Sequence, residues 1–420
     1  MPWHEKFRPE VNLKDFSILY DYNYASMWTR WRRGYELYMY TNQALVGLNY
    51  TFRYAMNGQA GSGGTEIPGL MYMYPSTEQD MGMRMVVIRP RDSINLLDLG
   101  LAVKSVFNYD ILNKVIGVDS LTDYYDIKLK QARIAILKND SNFIEEKIDI
   151  TNSQAILNVF KKYNPNIVVH LAAQAGVRYS IENPRSYLDS NIVGTFNVLE
   201  AIRHSNVEHT LIASTSSIYG SNKNMPYDEN QKTDNQVSFY AATKKSCEVI
   251  SHSYSHIYNL PITNFRFFTV YGPFGRPDMA LFKFVKAMKN NKPIDIYNNG
   301  KMKRDFTYID DLIKGITLLI DKIPKVGQAI GRYDTLSEVA PWRTINIGNS
   351  CSQNLMDFVD EIEKNMGFKA IKNFLPMQPG DVKETYANSN LLKEITGFKP
   401  QTDISIGVKK FCEWYNQFYK

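Results

Sequence analysis

The sequence predicts an α/β protein built on a doubly wound parallel sheet from about residue 115 onward. Short apolar runs rich in β-branched residues alternate with longer amphipathic stretches; the runs include "VIGVD", "IVVHLAA", "TLIAST" and "ITNFRFFTV". The runs have the length and composition of buried strands, and the stretches between them have the spacing of helices that cover a sheet. In parallel sheets of this kind, ligands bind beyond the carboxyl ends of the strands.

The composition is that of an ordinary globular chain with room for two or three domains. Of 420 residues, 44% are hydrophobic and 22% are charged, and the net charge of +6 is spread along the chain. Without a dense basic run, this charge suits an anionic small molecule and does not predict nucleic-acid binding. Three widely separated cysteines favour a reducing compartment. We expect no membrane association and a cytoplasmic location, because no stretch resembles a membrane span or a signal peptide.

Residues 1–85 differ in composition from the rest of the chain. They contain two lysines but nine of the sixteen methionines and three of the five tryptophans. The stretch at 45–54, "LVGLNYTFRY", alternates as a half-buried strand would. The glycines of "GQAGSGG", at 58–64, are followed by Pro68 and not by a helix, so we interpret this stretch as a flexible loop. The interpretation is a small β-rich module to which we assign no function.

The pair Tyr240 and Lys244 lies four residues apart in "SFYAATKKSCEVI", on one face of a predicted helix. About two such spacings are expected by chance in this chain, so the context matters. The preceding strand ends in "ASTSSIYG", which places three hydroxyl groups, those of Thr215, Ser216 and Ser217, at its carboxyl end. A nearby ammonium favours a phenolate and lowers a tyrosine pKa from its usual value of about 10. The set predicts a proton-transfer site; the alternative is a solvated helix face.

Several stretches in a fixed order identify a family. They include "VVHLAAQAGVRYSIENPRSYLDSNIVGTFNVLEA", "SFYAATKK", "RFFTVYGPFGRPDMALF", "GKMKRDFTYIDD" and "MQPGDVKETYAN". The chain from about 115 to 420 resembles the extended short-chain dehydrogenase/reductases that epimerise nucleotide sugars, and within them most resembles the UDP-glucuronate 4-epimerases. The resemblance implies a Rossmann-type fold and reversible oxidation at carbon 4 of a UDP-uronic acid. Dimers are common in the family, so it also implies a homodimer as the candidate assembly.

The resemblance implies NAD as the cofactor and gives each catalytic residue a role. Tyr240 would remove the proton of the sugar 4-hydroxyl, Lys244 would hold the nicotinamide ribose, and Thr215 matches the catalytic Ser/Thr. Asp119 would accept hydrogen bonds from the adenosine ribose, which favours NAD over NADP. The other implied cofactor contacts are Asp149 and Ile150 at the adenine, Ala172 and Ala173 where the backbone approaches the cofactor, and Asn191 near the inner ribose.

The resemblance also implies a set of substrate contacts. A 4-keto uronate is a β-keto acid that can lose carbon dioxide, so its carboxylate has to be held. The residues implied at this end of the pocket are Thr215, Ser216, Ser217, Thr269 and Arg276. Arg304 would pair with the diphosphate through its fork of donors, and Asp381 would bind the uridine ribose.

Two rival functions stay open. Relatives that dehydrate or decarboxylate carry an acidic residue in the hydroxyl motif, whereas this chain has Thr215-Ser216-Ser217. This disfavours a UDP-glucuronate decarboxylase or a nucleotide-sugar 4,6-dehydratase. The other rival is a catalytically impaired member that binds nucleotide sugar only.

The second rival arises because the family's glycine-rich loop is missing. A strand "MVVI", an N-cap at Ser93 and a helix over 94–107 preserve its plan, and Gly100 falls near the third glycine. The other two glycine positions hold Ile94 and Leu97, whose branched side chains crowd the phosphates.

Two explanations remain for this degenerate start. Residues 84–114 could form an eccentric cofactor loop, with Arg89 or Arg91 facing the phosphates, or the first hundred-odd residues could be foreign. We expect an atypical segment over 1–85, a Rossmann-type NAD-binding domain over 86–275, and mainly nucleotide-sugar binding by a smaller α/β domain over 276–420.

Overall fold

The structure, a computed structural model, describes residues 70–75, 83–88, 114–378 and 380–419. Two strands, β1 (Leu70–Pro75) and β2 (Met83–Ile88), form an antiparallel hairpin. The hairpin belongs to one compact unit, and the residues from Lys114 onward belong to another.

The second unit contains two parallel ladders. The first pairs β3 (Val115–Asp119) with β4 (Phe143–Lys147). The second has the order β11–β7–β6–β5; its strands are β5 (Ile167–His170), β6 (His209–Thr215), β7 (Ile262–Phe267) and β11 (Trp342–Ile347). Every pairing in both ladders is parallel, which confirms the predicted α/β class.

Helices connect these strands. They are α1 (Ile127–Leu137), α2 (Ser153–Tyr163), the short turns α3 (Tyr179–Glu182) and α4 (Pro184–Tyr187), α5 (Gly194–Arg203) and α6 (Phe239–Tyr258). A π-helical segment, Leu188–Val193, joins α4 to α5, and a 3₁₀ turn, Ser216–Tyr219, follows β6.

Both ladders contact one apolar core. Ile156 of α2 and Leu199 of α5 belong to a buried cluster, and Val118 of β3 and Val168 of β5 both pack against it. Because strands of the two ladders bury side chains on the same cluster, the ladders share a helix layer, as a doubly wound sheet requires.

The remaining elements form smaller sheets beside this body. The strands are β8 (Thr269–Tyr271), β9 (Ile294–Tyr297), β10 (Lys303–Tyr308), β12 (Ser352–Asn354) and β13 (Lys372–Leu375); the helices are α7 (Ala280–Lys289), α8 (Ile309–Ile320), α9 (Leu355–Met366), α10 (Asn390–Thr396) and α11 (Ile404–Phe418). β8 and β10 pair in parallel, β12 pairs antiparallel with β10, and β9 pairs in parallel with β13. Within the described part of the chain, no helix is long and apolar enough to cross a bilayer.

The N-terminal predictions have mixed outcomes. "MVVI" is a strand, but it is part of β2 and pairs with β1. The other N-terminal predictions concern the strand at 45–54, the loop at 58–64, the cap at Ser93 and the helix at 94–107, which all lie outside the described residues. The same holds for Arg89, Arg91 and the glycine positions Ile94, Leu97 and Gly100.

Candidate active site

A cluster of hydroxyl groups lies at the carboxyl end of β6. β6 is buried along its whole length, and Thr215 is its last residue. The Thr215 hydroxyl accepts a hydrogen bond from the Ser217 amide at 3.2 Å and donates one to the Ser217 hydroxyl at 3.2 Å. These bonds begin the 3₁₀ turn and fix Ser216 and Ser217 beyond the strand end.

Helix α6 brings Tyr240 and Lys244 to the same place. The Ser238 hydroxyl caps the helix by accepting a hydrogen bond from the Ala241 amide at 3.1 Å, so Tyr240 lies in the first turn. The Thr215 hydroxyl acts on the Tyr240 phenol and lowers its pKa. Lys244 is one turn further on and only 2% exposed. The structure therefore joins the three residues predicted to be catalytic.

The electrostatics of this trio differ from the expectation in one respect. Burial raises the pKa of Tyr240, and the nearby Thr215 hydroxyl and the charge of Arg276 oppose that rise. From the sequence, the positive charge that lowers the Tyr240 pKa was expected to be that of Lys244, whereas in the structure it is that of Arg276. Burial lowers the pKa of Lys244 itself, because its ammonium is removed from water.

Asn191 connects the loop after β5 to α6. Its side-chain oxygen accepts a hydrogen bond from the Gln174 amide at 2.8 Å. Its side-chain nitrogen donates to the Gln174 carbonyl at 3.0 Å and to the Thr243 hydroxyl at 2.9 Å. Asn191 is fully buried, so these bonds hold the loop after β5 against the helix that carries Tyr240.

The described residues fit the two ribose ends of a dinucleotide. Asp119 is the exposed last residue of β3; one carboxylate oxygen accepts a hydrogen bond from the Leu121 amide at 2.7 Å, which leaves the other for a ribose hydroxyl. Ala173 is exposed after β5. The buried ammonium of Lys244 makes no hydrogen bond with the residues that the structure describes, so it has donors for a second ribose.

The two residues expected at the adenine have different surroundings. Asp149 is exposed and accepts a hydrogen bond from the Thr151 amide at 2.8 Å. The Ile150 side chain is buried against Gly194 in the main core. Ala172, half-buried, also packs on this core.

Arg276 and Thr269 lie on the segment that follows β7. Thr215 and Phe267 are register partners, so Thr269 follows two residues beyond at the same sheet edge. The Arg276 guanidinium donates to both carboxylate oxygens of Asp278, with the Nε–Oδ1 distance 2.9 Å, and to the Ala175 carbonyl at 3.3 Å. Arg276 is thus already paired with a carboxylate of its own chain.

A second group of charged residues surrounds Arg304. Arg304 donates to the Lys303 and Lys383 carbonyls at 2.8 and 3.2 Å. The charges of Asp381 and Arg178 both act on its guanidinium. Asp381 pairs with Arg178 at 3.0 Å, and the Arg178 guanidinium lies 4.3 Å from the centre of the Tyr297 ring. Sequence reasoning missed Arg178, although it belongs to the quoted stretch "AQAGVRYS".

Two histidines at helical spacing, His252 and His256, have structural partners. His252 is hydrogen-bonded to the Ser337 hydroxyl at 2.9 Å and His256 to the Val339 carbonyl at 2.7 Å. Among the described residues, no group of acidic, cysteine or histidine side chains has the arrangement of a metal site.

The family model for GDP-mannose 4,6 dehydratase matches residues 111–411. The chain belongs to this family. The match covers more than half of the 420 residues and contains every predicted site residue. It confirms the resemblance to the extended short-chain dehydrogenase/reductases, and residues 1–110 lie outside the matched range.

Two family relatives match nearly their whole lengths. Protein CapI of Staphylococcus aureus is 51% identical over 308 residues, which is 73% of this chain and 92% of CapI. A probable UDP-glucuronate 4-epimerase of Rhizobium meliloti is 48% identical over 309 residues, 73% of this chain and 91% of the relative.

A solved family structure has the same fold. It is the UDP-glucuronic acid 4-epimerase of Bacillus cereus in complex with UDP-glucuronic acid and NAD. It is 30% identical, has a TM-score of 0.69, and the likeness covers 77% of this chain and 97% of that one. This similarity confirms the predicted Rossmann-type α/β fold.

Proposed function

We propose that this protein is an NAD-dependent 4-epimerase of a UDP-uronic acid that interconverts UDP-glucuronate and UDP-galacturonate. The observation that carries the proposal is the packing of α6 on β6 and the 3₁₀ turn, which brings Tyr240 to Thr215 with buried Lys244 one helical turn away. The relatives named as UDP-glucuronate 4-epimerases support the choice of sugar.

The mechanism starts with proton removal by Tyr240. As phenolate, Tyr240 takes the proton of the sugar 4-hydroxyl, and the Thr215 hydroxyl holds that oxygen in position. When bound, NAD would supply reversible hydride transfer at carbon 4 without net consumption. Lys244 would hold the ribose hydroxyls of the cofactor. Tyr240 gives its proton back after the 4-keto sugar has turned its other face.

The hydroxyl cluster suits a 4-keto uronate that must keep its carboxylate. Thr215, Ser216, Ser217 and Thr269 offer hydroxyl donors and no acidic side chain. Hydrogen bonds to the ionised carboxylate oppose loss of carbon dioxide, and elimination would need an additional acid. This cluster is the reason for preferring the epimerase to a decarboxylase or dehydratase.

The nucleotide end of the substrate belongs with the second charged group. We place the diphosphate at Arg304, whose charge suits phosphate oxygens, and the uridine ribose at Asp381. Arg178 adds a second guanidinium next to Asp381. On this assignment residues 276–420 mainly bind the nucleotide sugar, and residues 86–275 mainly bind NAD.

Product analysis tests the proposal directly. Purified protein is incubated with UDP-glucuronate, with and without added NAD, and the nucleotide sugars are separated by chromatography. We expect UDP-galacturonate at equilibrium with the substrate. Formation of a UDP-pentose with carbon dioxide would identify a decarboxylase instead.

A second candidate function is nucleotide-sugar binding without turnover. It is favoured by Ile94 and Leu97, which stand at the two missing glycine positions, and by the family match, which begins only at residue 111. Denaturing the purified protein and assaying released NAD separates the two functions. The epimerase retains NAD or is activated by adding it, whereas the binder does neither.

We also propose that the protein is a homodimer through one face of α5 and α6, the α5–α6 face. Phe196 of α5 and Val249 of α6 are 45% and 59% exposed, and Ile257 of α6 and Leu188 and Val193 of the π-helical segment before α5 are also exposed. The Phe196 ring meets the Tyr254 ring edge-on at 6.4 Å, so α5 and α6 contact each other beside the exposed Phe196. Apolar side chains gathered on paired helices favour burial against a second copy.

The separated cysteines of the chain support a cytoplasmic location for the protein.

The Val249→Lys variant is expected to be monomeric, because each copy would have to bury an unpaired ammonium group in the interface. Light scattering after size-exclusion chromatography measures the mass of variant and wild type. Ile406→Lys, which makes the same kind of change at an exposed apolar position of α11, serves as the control and should stay dimeric. A wild-type protein that is monomeric at micromolar concentration would contradict the assembly.

A further inference from the structure

Four phenol rings and one ion pair surround the loop after β5. The Tyr124 ring lies 4.8 Å from that of Tyr179, Tyr179 lies 6.2 Å from Tyr187, and Tyr187 lies 5.9 Å from Tyr240. The ion pair of Arg276 and Asp278 joins this row, because the Tyr124 hydroxyl donates to Asp278 at 3.4 Å. Neither the sequence motifs nor the proposed mechanism gives Tyr124, Tyr187 or Asp278 a role.

Arg276 and Tyr187 meet on one backbone carbonyl. The Arg276 guanidinium donates to the Ala175 carbonyl at 3.3 Å, and the Tyr187 hydroxyl lies 3.2 Å from the same oxygen while it donates to the Gly176 carbonyl at 2.6 Å. The next residue, Gly176, has φ +113°, and a side chain there would contact both groups. The positive φ favours glycine at this turn, which places the Arg276 guanidinium and the Tyr187 hydroxyl side by side.

The charged and titratable groups around Tyr240 come from four parts of the chain. They are Thr215 at the end of β6, Tyr187 of α4, Lys244 and Cys247 of α6, and Arg276 of the segment after β8. The Arg276 charge lowers the pKa of Tyr240, and Tyr240 in turn acts on Arg276. Asp278 is hydrogen-bonded to Arg276 on the side of Tyr124. Because its carboxylate pairs with the Arg276 guanidinium, we expect Asp278 to offset part of the field that Arg276 exerts on the phenol.

We infer that Asp278 is a positioning residue for the epimerisation. Its carboxylate holds the Arg276 guanidinium beside Tyr187 and Tyr240 and neutralises part of its positive charge. Asp278 thereby sets the pH range in which Tyr240 takes the sugar proton. The expected effect of Asp278 on turnover rests on the proposed function. The geometry of the inference rests on the contacts of Arg276 with Asp278 and Ala175.

The Asp278→Asn variant tests this role because it keeps the shape and removes the charge. Tyr240 works as phenolate, so activity rises as pH rises through its pKa. With Arg276 no longer offset, the phenolate is favoured, and the acidic limb of the kcat profile should move to lower pH by about one unit. Asp278→Glu keeps the charge and should restore the wild-type limb. Asp357→Asn, an exposed carboxylate on α9, should leave the profile unchanged.

A second readout does not depend on turnover. The ultraviolet absorbance of tyrosinate is titrated in the full-length protein, and each variant is compared with the same variant carrying Tyr240→Phe. The difference isolates the Tyr240 phenol, and Asp278→Asn should shift its titration to lower pH. If the protein proves not to be an epimerase, this shift still supports the positioning role.

Two outcomes would overturn the inference. One is an Asp278→Asn variant that loses activity while its pH limb and its Tyr240 titration stay in place, because Asp278 would then be merely structural. The other is an unchanged Tyr240 titration in the Arg276→Gln variant, which replaces Asp278→Asn as the test if that protein folds poorly. That variant removes the positive charge and should move both readouts to higher pH, so an unchanged titration contradicts the proposed route through Arg276.

Discussion

The Tyr240→Phe variant is expected to lose epimerase activity by about 10³-fold while it folds as the wild type does. Phenylalanine has no proton to exchange with the sugar, so the step that starts the reaction is lost. The ring remains, and with it the edge contact to Tyr187 at 5.9 Å. The substitution removes the phenol hydroxyl, on which Thr215 acts, and leaves the aromatic ring in place.

Steady-state turnover of UDP-glucuronate and the thermal unfolding midpoint measure the two halves of this prediction. Tyr163→Phe makes the same chemical change far from the site, where the hydroxyl donates to Glu146 on β4. It should keep full activity. A Tyr240→Phe protein with more than about a tenth of wild-type turnover would rule out Tyr240 as the base, since general-base catalysis contributes at least about 10²-fold.

The Glu248→Gln variant is expected to lose about 3–5 kcal/mol of unfolding free energy. Glu248 accepts hydrogen bonds from Arg266 Nε and Nη2, both at 3.0 Å, and from the Ser214 hydroxyl at 2.7 Å. Glu248 is 1% and Arg266 3% exposed, so the amide leaves a buried guanidinium without its counter-charge. Ser214 precedes Thr215, and Arg266 also contacts Tyr219 of the 3₁₀ turn, so the loss of stability extends to the hydroxyl cluster.

The effect depends on pH in a defined direction. Burial alone would raise the pKa of Glu248, but the charge and hydrogen bonds of Arg266 outweigh burial and hold that pKa below its usual value. A carboxyl group with a lowered pKa in the folded state stabilises the protein above its unfolded pKa, and this contribution disappears as pH falls through the folded value. The difference in unfolding free energy between wild type and variant should therefore be largest near neutral pH and become small in strong acid.

Urea unfolding at several pH values measures this gap. The control is Glu413→Gln, whose partner Lys409 lies 3.9 Å away on the exposed face of α11, and it should cost less than about 1 kcal/mol. Adding Arg266→Met to Glu248→Gln should recover part of the lost stability, because the unpaired buried charge is then gone. A Glu248→Gln protein as stable as the control would contradict the account.

The strands after residue 114 could be predicted because their pattern is local. β-branched runs bounded by polar residues mark β3, β5 and β6, and each forms where the runs "VIGVD", "IVVH" and "TLIAST" place it. The run "ITNFRFFTV" is one segment in the sequence but two strands in the structure, β7 and β8, which pair with different neighbours. Partner choice depends on tertiary contacts, so periodicity does not reveal the break at Phe268.

The site was predictable in its motif residues and not in the groups that surround them. Thr215, Tyr240 and Lys244 follow from spacing and family resemblance. The effect of Arg276 on the Tyr240 phenol depends on a contact between segments about one hundred residues apart, Ala175 and Arg276. Asp278 is only two residues from Arg276, yet its pairing depends on rotamers that no spacing rule describes. The pyrophosphate end of the NAD site remains a prediction.

The burial of β6 has a consequence for how the catalytic cycle runs. Thr215 ends a strand without an exposed residue, Ser238 caps α6, and Asn191 holds the neighbouring loop, so the catalytic side chains project from a stiff frame. Because this frame does not move, the hexose itself must rotate within the site to present its opposite face to the catalytic side chains. With the uridine at Asp381, as we propose, the sugar would turn about the bonds that join it to the phosphate. A nucleotide sugar with a rigid linkage there should then be oxidised on one face and never released as its epimer.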